Sequence, residues 1–179
     1  MTVDDNTLLK MLASPETKRK AFGLIVSQYS EMLYWKIRHF VLYHDDADDV
    51  MQNVLMKAWM NIDRFKADSK ISTWLYSIAV NESLGFLRRK KNVADADADL
   101  YAARHLMADE YFDGDATEAL LQEAIARLPD MQRTVFLLRY YDEMKYSEMS
   151  KMLERTEGAL KANYHIAAQK VLDYIKHRD

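Results

Sequence analysis

Apolar residues recur at steps of three and four between residues 47 and 62, and this spacing is the strongest structural signal in the chain. The positions are Ala47, Val50, Met51, Val54, Leu55, Ala58, Trp59 and Ile62. Such spacing places one apolar stripe along an α-helix. Asp48, Asp49, Gln52 and Asn53 lie on the remaining circumference. The segment is therefore predicted to be an amphipathic helix with this stripe buried.

Turn-forming residues are rare, which extends the helical prediction to the whole chain. Only 4 Gly and 2 Pro occur among 179 residues, whereas an all-β fold needs many tight turns. Ser14 as N-cap and Pro15 at the first helical position begin a helix that reaches about Tyr43. Further helices are predicted from Ile71 to the basic run 88–91, over 118–128, from Pro129, from an N-cap at Ser147, and over 157–175. The fold class is all-α.

Charge divides the chain into three parts. Residues 1–91 hold 14 Lys and Arg against 11 Asp and Glu, residues 92–119 hold 1 against 8, and residues 120–179 hold 10 against 9. The net charge of -3 therefore conceals two mildly basic flanks around one acidic segment. We predict two small helical domains, 1–91 and 118–179, joined by an acidic flexible linker at 92–117.

The C-terminal part has the spacing of a helix-turn-helix. Its first helix is Ser147–Leu153, its turn Glu154–Thr156, and its second helix begins at Glu157. Leu160, Tyr164 or Ala167, and Val171 face inward, so that Lys161, Asn163, His165 and Lys170 remain on the outer face. Such side chains can reach base edges and phosphates in a major groove. A small helical bundle with a solvated polar face fits the spacing equally well.

The helix after Ile71 carries a second candidate nucleic-acid surface. One strip, cationic at both ends, consists of Lys70, Thr73, Ser77, Asn81, Leu84 and Arg88. Phe65, Trp74 and Tyr76 lie nearby, and aromatic side chains beside cations can hold a single strand with unstacked bases. The alternative is that these aromatic residues belong to the core and that the run 88–91 is a solvated helix end.

Catalytic, metal and cofactor sites are not predicted. The cluster Asp45, Asp46, Asp48 and Asp49 lacks a calcium-loop pattern and suits a helix N-terminus. The five histidines have no ligand spacing, there are no cysteines, and no glycine-rich phosphate loop exists. Residues 1–14 do not resemble a signal peptide, and no apolar run is long enough to cross a membrane. We expect a cytoplasmic protein that is not an enzyme.

Two blocks of sequence resemble a known family in order as well as in type. The first comprises DADDVMQNVLMKAW at 46–59 and F-x(5)-IST-WLYSIAVNESLGFLRRKK at 65–91. It is similar to region 2 of the extracytoplasmic-function (ECF) group of sigma factors of bacterial RNA polymerase. The second comprises LLQEAIARLPDMQRTVFLLRYYDEMKYSEMSKML at 120–153 and ERTEGALKANYHIAAQKVL at 154–172. It is similar to region 4 of the same group. A transcription initiation factor is expected.

The resemblance implies roles for region 2 residues. The polar face of the 46–59 helix would bind core RNA polymerase through Asp48, Asp49, Gln52 and Asn53. The loop after it and the next helix would recognise and melt the minus-ten element of promoter DNA, with Asn81 reading a base. The residues expected there are Phe65, Lys66, Lys70, Ser72, Thr73, Ser77, Asn81, Arg88, Arg89, Lys90 and Lys91.

The resemblance implies that region 4 reads the minus-thirty-five element. The expected residues are Arg155, Thr156, Glu157, Lys161, Ala162, Asn163, His165 and Lys170. The linker would follow the RNA exit path, and an anti-sigma factor would cover the polymerase-binding face. The chain departs from the family at Glu154 and Arg155, where a small and an apolar residue are usual. Its recognition helix also lacks the family's several arginines, which implies a weak hold on phosphates.

Two other functions remain alternatives at this stage. A response regulator or repressor would use the C-terminal helix-turn-helix alone and would need a dimer surface or a sensor pocket. A helical adaptor would bind proteins and no DNA. Replacing Lys161, Asn163 and His165 with Ala would affect both DNA-binding classes and leave an adaptor unchanged.

Overall fold

The computed structural model describes residues 3–93, 103–104, 106–108 and 114–178. They belong to two compact units, Met1–Asn92 and Val93–Asp179. Both consist of α-helices and short 3-10 turns, and no strand occurs among the described residues. The predicted all-α fold class is confirmed.

The described residues of the first unit form four helices, and the core lies between the second, third and fourth. Ile25, Leu33 and Ile37 of the second helix are fully buried, as is Leu75 of the fourth. The helices are α1 (Asp5–Leu12), α2 (Pro15–Phe40), α3 (His44–Asn61) and α4 (Ile71–Val93), with a 3-10 turn at Ile62–Arg64 after α3.

The apolar stripe of α3 lies largely in the core, as predicted. Its buried members are Ala47, Val50, Val54, Ala58 and, just beyond the helix, Ile62. The expectation for Trp59 was wrong, because its side chain is 41% exposed. The indole packs edge-on against Phe22, with 5.0 Å between the ring centroids. Helical spacing alone does not show where the edge of the buried stripe falls.

Helix α1 was absent from the sequence prediction, and it fixes the beginning of α4. Asp4 caps α1 by accepting a 3.0 Å hydrogen bond from the Thr7 backbone N–H. The next residue, Asp5, accepts a 3.0 Å hydrogen bond from the backbone N–H of Ile71 through Oδ2. Because the first N–H groups of a helix have no partner within it, this carboxylate satisfies one of those of α4.

In the described part of the second unit, four helices have defined bounds, and the last of them packs against the other three. Ile125, Leu137, Leu138, Met149 and Leu160 are its largest fully buried side chains. The helices are α5 (Ala116–Ala126), α6 (Asp130–Tyr140), α7 (Tyr146–Leu153) and α8 (Glu157–Lys176), and a 3-10 turn lies at Leu106–Ala108.

Helix α7 begins one residue earlier than predicted, so Ser147 is not its N-cap. Lys145 occupies the cap position. The Glu148 carboxylate accepts a 3.3 Å hydrogen bond from the Lys145 backbone N–H, so the N–H of the cap residue is paired. An acidic side chain also suits the first turn of a helix electrostatically.

Part of the segment before α5 packs on the second unit. Ala103 and Leu106 are buried, and Arg104 Nε donates a 2.9 Å hydrogen bond to Oε1 of Glu123. Tyr174 Oη donates to the same oxygen at 2.6 Å. Most of the linker predicted at 92–117 lies outside the described residues, so its flexibility remains a prediction.

Candidate nucleic-acid interface

The residues expected to bind polymerase lie along one side of α3. Asp48, Asp49 and Gln52 are exposed and Asn53 is half-buried. Their spacing of three and four residues brings them together on the helix surface. His44 is placed beside this face, with Nε2 3.4 Å from Asp48 Oδ2.

Two methionines that the sequence prediction did not select extend this side of α3. Met56 is 55% exposed and Met60 is 71% exposed. They follow Gln52 by four and eight residues, and this spacing is the signal that could have identified them. The exposed side of α3 is therefore acidic near its N-terminus and apolar near its C-terminus.

The minus-ten candidates occupy the loop before α4 and much of the α4 surface. Lys66, Lys70, Thr73, Asn81, Arg88 and Arg89 are exposed, whereas Phe65, Ser72, Ser77 and Lys90 are half-buried. The Ser77 hydroxyl donates a 2.7 Å hydrogen bond to the Trp74 carbonyl within the helix. The Lys91 side chain lies outside the described residues.

A cavity of about 390 Å³ opens between α3, the 3-10 turn and α4. This is within the range of roughly 300–1,000 Å³ typical of small-ligand sites. Two residues named in the sequence analysis lie in its lining, Asn81 from the minus-ten candidates and Trp74 from the aromatic side chains beside them. We call it the α3–α4 cavity, and its lining residues are Lys57, Asn61, Arg64, Trp74, Ile78, Asn81 and Glu82.

The walls of the α3–α4 cavity combine aromatic, apolar and charged groups. Trp74 is half-buried, and the centroid of its ring lies 5.0 Å from that of Phe65. Lys57 Nζ lies 2.5 Å from Glu82 Oε1, which joins α3 to α4 across the cavity. Sequence reasoning missed Lys57 and Glu82 because it treated each helix separately.

The basic end of α4 is partly neutralised within the first unit. Lys90 Nζ lies 2.6 Å from Asp46 Oδ2 and 4.6 Å from the centroid of the Tyr43 ring. Arg88 and Arg89 are exposed. In this predicted phosphate-binding run, the charges of Arg88 and Arg89 are therefore more accessible than the charge of Lys90.

The helix-turn-helix predicted near the C-terminus is present, formed by α7, residues 154–156 and α8. Glu154 adopts a left-handed conformation, with φ 53° and ψ 47°. The Ser150 hydroxyl donates a 2.6 Å hydrogen bond to the Arg155 carbonyl. The Thr156 side chain caps α8 by accepting a 3.3 Å hydrogen bond from the Ala159 backbone N–H. Met149 and Leu160 are fully buried, so the two helices share a core.

The minus-thirty-five candidates lie on the turn and the outer surface of α8, and several of them are held by neighbouring groups. Lys161 Nζ lies 4.0 Å from Glu157 Oε2. Asn163 Nδ2 donates a 2.8 Å hydrogen bond to the Ala159 carbonyl, and Lys170 Nζ donates a 3.0 Å hydrogen bond to Gln132 Oε1 on α6. The exposed members of the set are Arg155, Thr156, Glu157, Lys161, Ala162, His165 and Lys170.

Two kinds of feature are absent from the described residues. Within them, no group of three or more His, Asp or Glu side chains lies close enough to hold a metal ion. No helix in the same part of the chain is long and apolar enough to span a membrane.

Two family models match the chain in separate blocks. Residues 25–93 match Sigma-70 region 2, and residues 118–171 match Sigma-70, region 4. The first block contains α3, α4 and the α3–α4 cavity, and the second contains the helix-turn-helix.

Curated relatives extend the similarity to most of the chain. The ECF RNA polymerase sigma factor SigW of Bacillus subtilis is 33% identical over 156 residues, which cover 81% of this chain and 83% of the relative. The ECF RNA polymerase sigma-E factor of Haemophilus influenzae is 27% identical over 169 residues, which cover 88% and 89%.

Solved structures share the fold. The sigma factor RpoE, in complex with the anti-sigma factor NepR from Bartonella quintana, is 21% identical with a TM-score of 0.66. The match covers 88% of this chain and 98% of that one. CnrH, in complex with the cytosolic domain of CnrY, is 22% identical with a TM-score of 0.67, and the match covers 98% and 99%.

Proposed function

The chain belongs to the ECF group of the sigma-70 family and is a promoter-specific transcription initiation factor, and we propose that its two units share this work. The first unit would bind core polymerase and open the minus-ten element, and the second would read the minus-thirty-five element. One observation carries the proposal. Each unit contains its own candidate DNA surface, and each surface lies inside the matching region model.

Core polymerase would bind the exposed side of α3. Asp48, Asp49 and Gln52 present polar groups there without being needed in the core of the unit. Met56 and Met60 add apolar surface beside them, and methionine side chains adapt well to a partner surface. Protein interfaces combine apolar contacts with polar ones, and this side of α3 offers both next to each other.

Melting of the minus-ten element would use the α3–α4 cavity. Extruding a base from duplex DNA costs a few kcal/mol, which a pocket that stacks and hydrogen-bonds the base offsets. Trp74 offers an aromatic face and Asn81 an amide in the same cavity. Arg88 and Arg89 would hold the strand backbone, since their guanidinium groups are exposed on the same helix.

Helix α8 would bind in the major groove of the minus-thirty-five element. Lys161 and His165 are exposed on this helix, and recognition helices read base edges with residues near their N-terminus. With few cations on α8, the second unit would bind DNA weakly alone and would depend on polymerase for the remaining affinity.

Regulation and location follow from the same function. An anti-sigma factor would act on this chain by covering the polymerase-binding side of α3, as the group membership and the complex of RpoE with NepR suggest. The linker would lie along the RNA exit path. The protein would act in the cytoplasm by binding and not by catalysis.

The proposed roles of the two units can be tested with variants that affect DNA melting and DNA binding separately. With polymerase holoenzyme on a cognate promoter, Asn81→Ala is expected to reduce permanganate reactivity of minus-ten thymines while the closed complex still forms. Lys161→Ala with His165→Ala is expected to weaken the closed complex. Glu31→Gln, an exposed change on α2, is the control. If Asn81→Ala melted DNA normally and weakened only duplex binding, the proposed roles would be wrong.

A further inference from the structure

Glu82 stands out among the residues of the α3–α4 cavity because it is an acidic group in a surface proposed to bind DNA. Its side chain is only 12% exposed, and Oε1 is paired with Lys57 Nζ at 2.5 Å. A carboxylate repels phosphates, and this pairing offsets that repulsion. The pair thus offers one acceptor group and one donor group side by side at the cavity wall.

The other lining residues of the α3–α4 cavity restrict the kind of ligand that fits there. Trp74 and Ile78 offer flat and apolar surface, while Arg64 and Asn81 carry the other polar groups. A planar ring with hydrogen-bonding edges suits such a site, since bases stack on aromatic side chains irrespective of their identity. Stacking therefore provides affinity, and any choice among bases must come from the polar groups.

We propose that Glu82 selects the base held in the α3–α4 cavity, favouring a base with an exocyclic amino group over thymine. An ionised carboxylate accepts hydrogen bonds and cannot donate them. Cytosine, adenine and guanine each present an amino group to it. Thymine has a single N–H between two carbonyl oxygens. Lys57 can donate to one of these oxygens, and the other would then face the carboxylate. This inference rests on the proposed function, because it requires that the cavity hold an extruded minus-ten base.

The simpler role for Glu82 is structural, as one half of an ion pair that joins α3 to α4. The two roles differ in what the loss of Lys57 does. If only the ion pair matters, Lys57→Met and Glu82→Gln should have the same effect. If the carboxylate reads a base, Lys57→Met should keep the discrimination while Glu82→Gln removes it, because a glutamine amide both donates and accepts.

The test measures binding of single-stranded minus-ten DNA to the holoenzyme, with each position changed in turn to all four bases. Wild type is expected to bind thymine about tenfold more weakly than the amino-bearing bases at one position, a factor within the range for one good side-chain–base pair. Glu82→Gln should reduce this ratio to about two or less. Glu82→Asp, which retains a carboxylate, should retain part of the discrimination, and Glu31→Gln should behave as wild type.

The possible failures can be told apart. An unchanged thymine ratio in Glu82→Gln, with Asn81→Ala still impaired, would overturn the role of Glu82 and leave the proposed function intact. Equal loss of binding to every base in Lys57→Met and Glu82→Gln would assign the pair a structural role. Absence of any single-strand binding by the wild-type holoenzyme would overturn both the proposed function and this inference.

Discussion

Lys90 Nζ lies 2.6 Å from Asp46 Oδ2, so the basic end of α4 is joined to the acidic beginning of α3. Both side chains are 22% exposed. An acidic side chain in a first turn is also stabilised by the helix dipole. The pair makes Lys90 a structural residue of the first unit, and among the described side chains of the run 88–91 it leaves Arg88 and Arg89 accessible.

Replacing Arg88, Arg89 and Lys90 one at a time should distinguish a residue that binds phosphates from one that stabilises the fold. Arg88→Ala and Arg89→Ala should each lower the slope of log affinity against log salt for single-stranded DNA by about 0.7, as expected for one lost phosphate contact. Lys90→Ala should change this slope less and should lower the free energy of unfolding by about 1 kcal/mol. Salt titrations of holoenzyme binding and urea unfolding of the free protein measure both quantities. A slope change as large for Lys90→Ala as for Arg88→Ala would mean that Lys90 leaves Asp46 when DNA binds.

The second unit should lose stability in acid because of Glu123. Burial alone would raise the pKa of Glu123, but hydrogen bonds from Tyr174 and Arg104 and the charges of Arg178 and Arg104 outweigh it and hold the pKa below its ordinary value of 4.5. A carboxyl with a lowered pKa in the folded state stabilises the protein above its unfolded pKa, and this contribution is lost as the pH falls through the folded value.

Glu123→Gln should therefore lower the free energy of unfolding by about 2 kcal/mol at pH 7. The difference from wild type should shrink as the pH falls below the ordinary value of 4.5. Urea unfolding followed by far-ultraviolet circular dichroism between pH 7 and pH 3 measures it. A difference that is constant across this range would show that the charge of Glu123 contributes nothing.

Glu154 should be replaceable by glycine with a gain in stability. Its left-handed backbone, at φ 53°, costs a side-chain-bearing residue about 1 kcal/mol or more. Glycine avoids that cost but loses more conformational entropy on folding. Glu154→Gly is expected to raise the free energy of unfolding by about 0.5 kcal/mol.

Hydrogen exchange of the α8 backbone amides measures the effect of Glu154→Gly on stability, because these amides report on the second unit alone. The matched control is Lys151→Gly at an exposed position inside α7, which should cost about 1 kcal/mol. If both variants lowered protection of α8, the turn would not tolerate glycine and the strain argument would fail.

Substitutions in α8 should distinguish residues that bind phosphates from residues that recognise bases. Lys161→Ala should weaken binding to all minus-thirty-five sequences and lower the salt slope by about 0.9. His165→Ala should relax preference at one position, at a cost of about 1–3 kcal/mol. Holoenzyme binding to a set of single-base minus-thirty-five variants tests both. Uniform weakening by His165→Ala would reassign it to backbone contact.

Sequence periodicity predicted single helices well because burial repeats with the helical turn. The buried positions Val50 and Val54 of α3 and Leu160 of α8 all followed from spacing. The helix-turn-helix followed as well, since short helices with a short turn allow few packing arrangements.

The spacing of apolar residues could not predict features that depend on the packing of one helix against another. The α3–α4 cavity needs Lys57 and Glu82 to approach from positions 25 residues apart, and no local pattern encodes that approach. Helix α1 has only 8 residues, and unlike α7, which is equally short, it has no helix-turn-helix pattern beside it to indicate it. The bond from Ile71 to Asp5 depends on the same tertiary arrangement.

The central claim is tested most directly by combining the purified protein with bacterial core RNA polymerase. A pull-down measures binding to core, and run-off transcription on a promoter library from the source genome measures initiation. We expect the protein to bind core and to start transcription at promoters that share a pair of upstream elements. We also expect that changing Asp48, Asp49 and Gln52 together to Ala weakens the pull-down. Binding to duplex DNA with no binding to core, and no initiation at any promoter, would contradict the central claim.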